Sequence, residues 1–251
     1  MSFTASLDDI ILENESGLLA KHNTWERVLL GEVGKVLNGF AFPSGLFSND
    51  SGFPLLRIRD ILSDTTETRY KGEYDPQYVI RAGDLLVGMD GDFNSAIWKG
   101  SDALLNQRVC KISVNPEFYD LKFLSFVLPA YLNAINRETS SITVKHLSSQ
   151  TVSEIPLPLP ALNEQSRIAN ELDALMSDLD AAVAALRRVQ ANLKRYRASV
   201  LKAACEGRLV PTEAELARKE GRTYETGEQL LSRILKERRA KWEADQLSKM
   251  L

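Results

Sequence analysis

Thiols and imidazoles are scarce in this sequence. Cys110 and Cys205 lie far apart without metal-ligand spacing, and with His22 and His146 as the two histidines no classical zinc site can be assembled, nor a disulfide scaffold. Long apolar runs are absent too: no window approaches the roughly 18 residues of a membrane span. The opening segment MSFTASLDDIILENESG has no basic stretch leading into an apolar core. The expectation is a cytoplasmic, soluble chain with no membrane partner. An excess of basic charge is also missing, since 31 Lys and Arg stand against 34 Asp and Glu, and within residues 1–160 the count is 14 against 20. Any contact with nucleic acid must therefore be local rather than driven by a global field.

Catalytic signatures are equally sparse. There is no G-x-S-x-G elbow, no H-E-x-x-H, and no D/N/S-P-P-Y or F-x-G-x-G pair of the kind adenine methyltransferases carry. The loop Gly88-Met89-Asp90-Gly91-Asp92-Phe93-Asn94 lacks the lysine of a phosphate loop and the spaced acceptors of a calcium loop, and reads as a tight turn. His146 beside Lys145 has no nucleophile to serve. The expectation is a chain that is not an enzyme and holds no cofactor or metal of its own.

What the sequence does contain divides in the middle. Eight of its nine prolines precede residue 161, whereas Ala161 to Glu206 holds neither glycine nor proline. At the break, Pro156-Leu157-Pro158-Leu159-Pro160 forces an extended segment, and Asn163 is placed to cap a helix that ends near Gly207. That helix has on the order of 40 residues, or ~60 Å of length. Its apolar residues Ile168, Leu172, Leu175, Leu179, Ala182, Leu186, Val189, Leu193, Tyr196, Val200 and Ala203 alternate at steps of four and three, the pattern of a coiled-coil seam. Acids Glu164, Glu171, Asp173, Asp178 and Asp180 dominate its first half, and bases Arg187, Arg188, Lys194, Arg195, Arg197 and Lys202 its second. A parallel copy would stack like on like, so the pattern favours an antiparallel partner of similar sequence. Residues 208–251 read as a helical tail: a short helix over Thr212 to Glu220, a turn marked by Gly221 and Gly227, then a helix with an apolar patch at Leu230, Leu231, Ile234 and Leu235. That patch reads either as part of a solvated face or as a docking site.

Before the prolines, VLLGEVGKVLNG, GFPLLRIRDI, QYVIRAGDLLVGM, SAIWKG and LNQRVCKISV alternate like strands between turn residues, while LKFLSFVLPAYLNAIN is spaced like a helix. The fold class expected is α+β, a mixed and mostly antiparallel globular domain over residues 1–160, a long heptad helix over 161–207 and a helical tail over 208–251. Trp25, Phe40, Phe42, Phe47, Trp98 and Phe123 are expected to fill the core. Groups able to reach a base edge gather at turns. Arg57 and Arg59 are placed on one strand face, Asn94 ends the glycine loop, Gln107 and Arg108 precede a strand, and Thr143, Lys145 and His146 form a polar segment before the prolines.

The order of these features resembles the specificity subunit of type I restriction-modification systems, in a half-length form. The residues that carry the resemblance are WERVLLGEVGKVLNGFAF (25–42), PLLRIRDI (54–61), GDLLVGMDGDF (83–93), LLNQRVCKI (104–112), TVKHLS (143–148), IPLPLPALNEQSRIANELDAL (155–175) and LKAACEGRLVP (201–211). The family's usual subunit has two target recognition domains, each followed by a long helix, and the two helices pair antiparallel; this chain has one of each. The resemblance implies a DNA-binding domain that reads one half-site of double-stranded DNA, and self-association as an antiparallel dimer. It further implies methyltransferase subunits that bind S-adenosylmethionine and methylate adenine, and optionally restriction subunits that use ATP and Mg. The competing expectation, favoured by the acidic balance of residues 1–160, is a coiled-coil scaffold or regulatory protein that binds no DNA.

Overall fold

The computed structural model describes residues 7, 9, 10, 17–138 and 145–250. Strand β1 (Glu26–Leu29) runs into a single helical turn, α1 (Leu30–Val33), before β2 (Gly34–Asn38). The strand-like run VLLGEVGKVLNG is thus broken at its centre. Leu30 and Val33, three apart, both turn inward and are buried, and the Glu32 carboxylate accepts the Leu29 amide at 2.9 Å to close the turn. Strands β3 (Phe47–Ser48), β4 (Phe53–Leu56), β5 (Arg69–Tyr70) and β6 (Val79–Ile80) follow. Then come β7 (Leu85–Gly88), β8 (Ser95–Ile97), β9 (Ala103–Leu105) and β10 (Val109–Val114). Helices α2 (Leu121–Glu138) and α3 (Ser149–Ser153) lead to β11 (Pro156–Leu159) and to the long helix α4 (Leu162–Cys205).

Three sheets result, in the orders β1-β11, β2-β10-β7-β8 and β3-β5-β4-β9-β6. Among the described residues every strand pairing is antiparallel except β4 with β9. The α+β, mostly antiparallel expectation is borne out. The central sheet is buried on both faces, as its period of two dictates. Leu85, Val87, Cys110 and Ile112 join the larger core with Phe123, Leu124, Leu128 and Ile135 of α2, while Leu86 and Val109 face a second core around Trp98, Leu56 and Ile61. Burial pushes the Cys110 thiol up to about 12 and leaves it inert. A third cluster joins Phe42, Leu55, Tyr70 and Leu104. Of the aromatics expected in the core, Phe42, Trp98 and Phe123 are buried and Trp25 and Phe47 half-buried; Phe40 is exposed. No described helix is long and apolar enough to cross a membrane.

Strand β11 accommodates its prolines by register. Leu30 donates its amide to Ile155 at 2.9 Å, so the hydrogen-bonded positions along this ladder are Leu157 opposite Val28 and Leu159 opposite Glu26. Pro156 and Pro158 occupy the alternate positions, where an amide would point away from β1, and the ladder loses nothing.

The start of α4 differs from expectation. Asn163 lies inside the helix, and the carbonyl of Ala161 receives the amides of Glu164 and Gln165 at 2.8 and 3.0 Å. Gln165, not Asn163, is the anchoring residue. Its fully buried amide accepts from the Asp120 backbone N–H at 2.8 Å and donates to the carbonyls of Phe118 and Pro160 at 3.2 and 2.9 Å. Ser166 adds a hydrogen bond to the Asp120 carboxylate at 2.9 Å, whose other oxygen caps α2 at the Phe123 amide, also 2.9 Å. The far end of α4 stops as its glycine requires. Gly207, at φ +68, lets Arg208 reach back to the Ala203 carbonyl at 2.8 Å and Gly207 itself to Ala204 at 3.1 Å.

The described chain forms two compact units, residues 1–177 and 178–251, and the division falls inside α4. Along the heptad seam Ile168 and Leu172 are half-buried, whereas Leu175, Leu179, Leu186, Val189, Leu193 and Tyr196 are exposed, Leu179 by 56% and Leu186 by 68%. Val200 and Ala203 are half-buried. In the second unit, α5 (Glu213–Glu220) starts on a reciprocal cap between Thr212 and Glu215, which also holds the Glu215 carboxyl below its ordinary range. Helix α6 (Gly227–Met250) exposes Leu230, Leu231, Ile234 and Leu235.

Replacing Gln165 by leucine, similar in volume, strands one partly buried backbone amide and two carbonyls. The expected cost is about 3 kcal/mol, read as a fall in the denaturant midpoint of the whole chain at constant slope. A midpoint equal to that of the unaltered protein would remove the anchor from the account.

Candidate nucleic-acid interface

Three chain segments meet at one end of the central sheet. The loop after β7 closes on itself where Gly88 donates to the Asn94 carbonyl at 2.7 Å, the tight turn that its glycines predict. Met89 donates to Arg108 at 2.9 Å, Leu147 donates to Met89 at 2.7 Å, and Gly91 donates to Lys145 at 3.2 Å. The loop is thereby stitched to the segment before β10 on one side and to the segment before α3 on the other, with Asp90 and His146 as an isolated antiparallel bridge. Side chains repeat the join. Asp90 accepts from Arg108 Nη1 on Oδ2 at 2.8 Å and lies 2.7 Å from His146 Nδ1 through Oδ1. The Asp90 side chain is 17% exposed, against 54% for Arg108 and 40% for His146, so the anion is the enclosed member and the two bases are presented outward.

Of the residues singled out in the sequence, this arrangement brings Arg108 and His146 into one cluster. Gln107 is beside them and exposed, with its own amide bound by Asn106 Oδ1 at 2.9 Å, and Asn94, exposed, closes the loop. Arg57 and Arg59 do not share a strand face. Strand β4 ends at Leu56, and Asp60 turns the chain into a 3-10 turn by accepting the Arg57 amide at 2.9 Å while its own amide returns to the Arg57 carbonyl at 2.8 Å. The two arginines are nonetheless exposed next to the loop, because Ile58 between them packs directly on Gly88. Lys145 is half-buried and its ammonium is occupied by the carbonyl and side-chain oxygen of Asn136 at 2.5 and 2.9 Å. Thr143 lies outside the described residues.

Three further members escape a reading of the sequence. Asp90 was visible only as part of a turn, since nothing in its spacing announces partners at positions 108 and 146. Asn136, on α2, donates to the Gly91 carbonyl at 2.5 Å and so braces the loop from behind. Phe40 sits beside Asn106 through a backbone bridge and stacks edge-on to Phe42, leaving part of its ring exposed. Among the described residues no group of His, Cys, Asp and Glu could hold a metal ion.

Comparison with known proteins decides the family. Residues 22–186 match the type I restriction modification DNA specificity domain. The chain belongs to that family. Among relatives of this specificity chain, the EcoBI specificity subunit of Escherichia coli is 47% identical over 220 residues, covering 87% of the chain and 46% of the relative. The EcoAI specificity subunit of the same species is 28% identical over 166 residues, covering 59% of the chain and 28% of the relative. The chain thus spans less than half the length of either. Solved structures share the fold. One, described as the structural basis of complex assembly and conformational transition of the type I R-M system, aligns with a TM-score of 0.59 at 23% identity over 79% of this chain and 52% of that one. The HsdS subunit from Thermoanaerobacter tengcongensis aligns at 0.55 with 24% identity over 81% and 52%.

Proposed function

We propose that this specificity-family chain is the sequence-reading component of a type I restriction-modification complex. It reads one half-site of double-stranded DNA through the face around Arg108 and His146, and pairs antiparallel with a second copy through α4. The match of residues 22–186 to the DNA specificity domain is the observation that carries the reading. The geometry supports it physically. The net charge of residues 1–160 is unfavourable for a polyanion, so contact has to be made by a small set of outward-facing donors. Arg108, Gln107, Asn94, Arg57 and Arg59 supply those around one glycine loop, where backbone can approach a groove closely. Lys145, engaged by Asn136, serves the loop's shape rather than phosphate.

The exposed stretch of the α4 seam from Leu175 to Tyr196 supports self-pairing, because a row of half-exposed leucines at heptad spacing is unfavourable in water without a facing helix. The acid-to-base gradient selects an antiparallel one. The chain itself performs no chemistry in this scheme. Methyltransferase partners supply S-adenosylmethionine and adenine methylation, and restriction subunits, where they join, supply ATP- and Mg-dependent cleavage.

Co-expression with cognate methyltransferase subunits, followed by mapping of methylated adenines, tests the assignment. Two identical readers related by a twofold axis are expected to give two inverted copies of one half-site around an unread spacer. An asymmetric bipartite site from this chain alone would contradict the scheme. Placing aspartate at Leu179 and Leu186 puts charge into the seam and is expected to shift sedimentation from dimer to monomer while the first unit stays folded. An unaltered chain that already sediments as a monomer counts against self-pairing. Alanine at Gln107 and Arg108 is expected to cost roughly 1 to 3 kcal/mol per lost base contact, seen as relaxed methylation at one base pair; Lys145→Ala should leave the base preference as it is.

A further inference from the structure

Asp90 is an anion on a face that, in the reading above, meets a polyanion. It repels phosphate, yet it is the member of its cluster held deepest and it spends both oxygens on its neighbours. Chemistry follows for each. A carboxylate can only accept, so the imidazole proton facing it sits on Nδ1, and in neutral His146 the outward Nε2 is left as an acceptor. The guanidinium of Arg108 is planar, and fixing it through Nη1 leaves its remaining donors in a set plane and direction. The result is a donor fork beside a single acceptor, held by one carboxylate whose flanking residues, Met89 and Gly91, are bonded through their backbones to the two supporting segments. Duplex edges differ in this respect: guanine offers acceptors at N7 and O6, whereas adenine and cytosine offer an exocyclic amine.

We infer that Asp90 is a positioning residue for sequence readout. It fixes Arg108 as a fork for guanine and His146 as an acceptor for the exocyclic amine of adenine or cytosine, and does not itself touch DNA. This rests on the DNA-facing role of the cluster. Removing the charge has two consequences of opposite sense: repulsion of phosphate falls, so arbitrary duplex binds at least as well, while the two bases lose their fixed directions, so discrimination falls. A simple loss of folding lowers both together.

The test uses the full chain with its methyltransferase partners, titrated at several salt concentrations against the mapped target duplex, duplexes with single base-pair changes, and a scrambled duplex. Asp90→Asn, nearly identical in shape, is expected to bind scrambled duplex as tightly as the unaltered chain or more so. It should lose roughly 5- to 100-fold in discrimination at one or two base pairs. Asp90→Glu, which keeps the charge, should recover part of that loss. In a background of Arg108→Ala with His146→Ala, adding Asp90→Asn should change no base preference, since Asp90 acts through those residues. Unchanged discrimination in Asp90→Asn overturns the inference, as does an equal loss of affinity for every duplex or a further change of preference in the double background. Should Arg108→Ala and His146→Ala leave discrimination untouched, the interface itself is misassigned and the role of Asp90 falls with it. Should they alter it while Asp90→Asn does not, the interface stands and the positioning role alone is lost.

Discussion

A single side-chain amide governs the junction on which the rest depends. Gln165 satisfies three backbone groups at once, from Phe118, Asp120 and Pro160, in a site closed to water. The Pro160 carbonyl bond is buried and the other two are partly so, and an apolar side chain in place of the amide would leave all three groups without this partner. The bonds tie the first turn of α4 to the segment entering α2, and Asp120 extends the tie by capping α2 and holding Ser166. Lys122 then reaches Asp173 at 2.9 Å, two turns further along α4. Within the first unit the opening turns of the helix are held by these directional bonds together with Ile168 and Ala169, which pack into the larger core.

The reading face is built on the same economy of means. Its loops are short, and each is held by backbone bonds to a neighbour from a distant part of the sequence, with Asn136 and Lys145 clasped behind the loop and Asp90 in front. Positive-φ geometry at Phe93, whose ring is buried under the loop, shows the surrounding packing overruling local preference. Rigidity of this kind suits recognition: side chains that are already directed lose less freedom on meeting a ligand.

Legibility in the sequence followed the range of the interaction. The strand runs around β7 and β10, the helix α2, the long helix and its glycine stop were readable because alternation, heptad spacing and capping act over a few residues. The break at α1 was not, since a buried Leu30 and Val33 three apart hide inside an otherwise alternating run. Asn163 looked like a cap by composition, yet the chain begins its helix one residue earlier, where Gln165 finds its partners. Arg57 and Arg59 were misplaced for a related reason: Asp60, three residues on from Arg57, accepts a backbone amide that a strand would have sent elsewhere. The cluster of Asp90, Arg108 and His146 spans more than fifty residues of sequence, and no local pattern encodes a meeting at that distance. Chemistry named two of its three members as base-capable groups; topology alone could supply the third.

The two prolines of β11 have a consequence for how copies of this chain avoid one another. Strand β11 pairs with β1 on one side alone, so its other edge carries no strand neighbour. A free strand edge in that position would invite exchange of strands between chains, a route to swapped or open-ended aggregates. With proline at both outward positions the edge has no amide to offer, and its carbonyl at Pro158 is already taken by the Tyr119 hydroxyl at 3.0 Å. The strand that leads into α4 is therefore closed to the commonest form of promiscuous contact between chains.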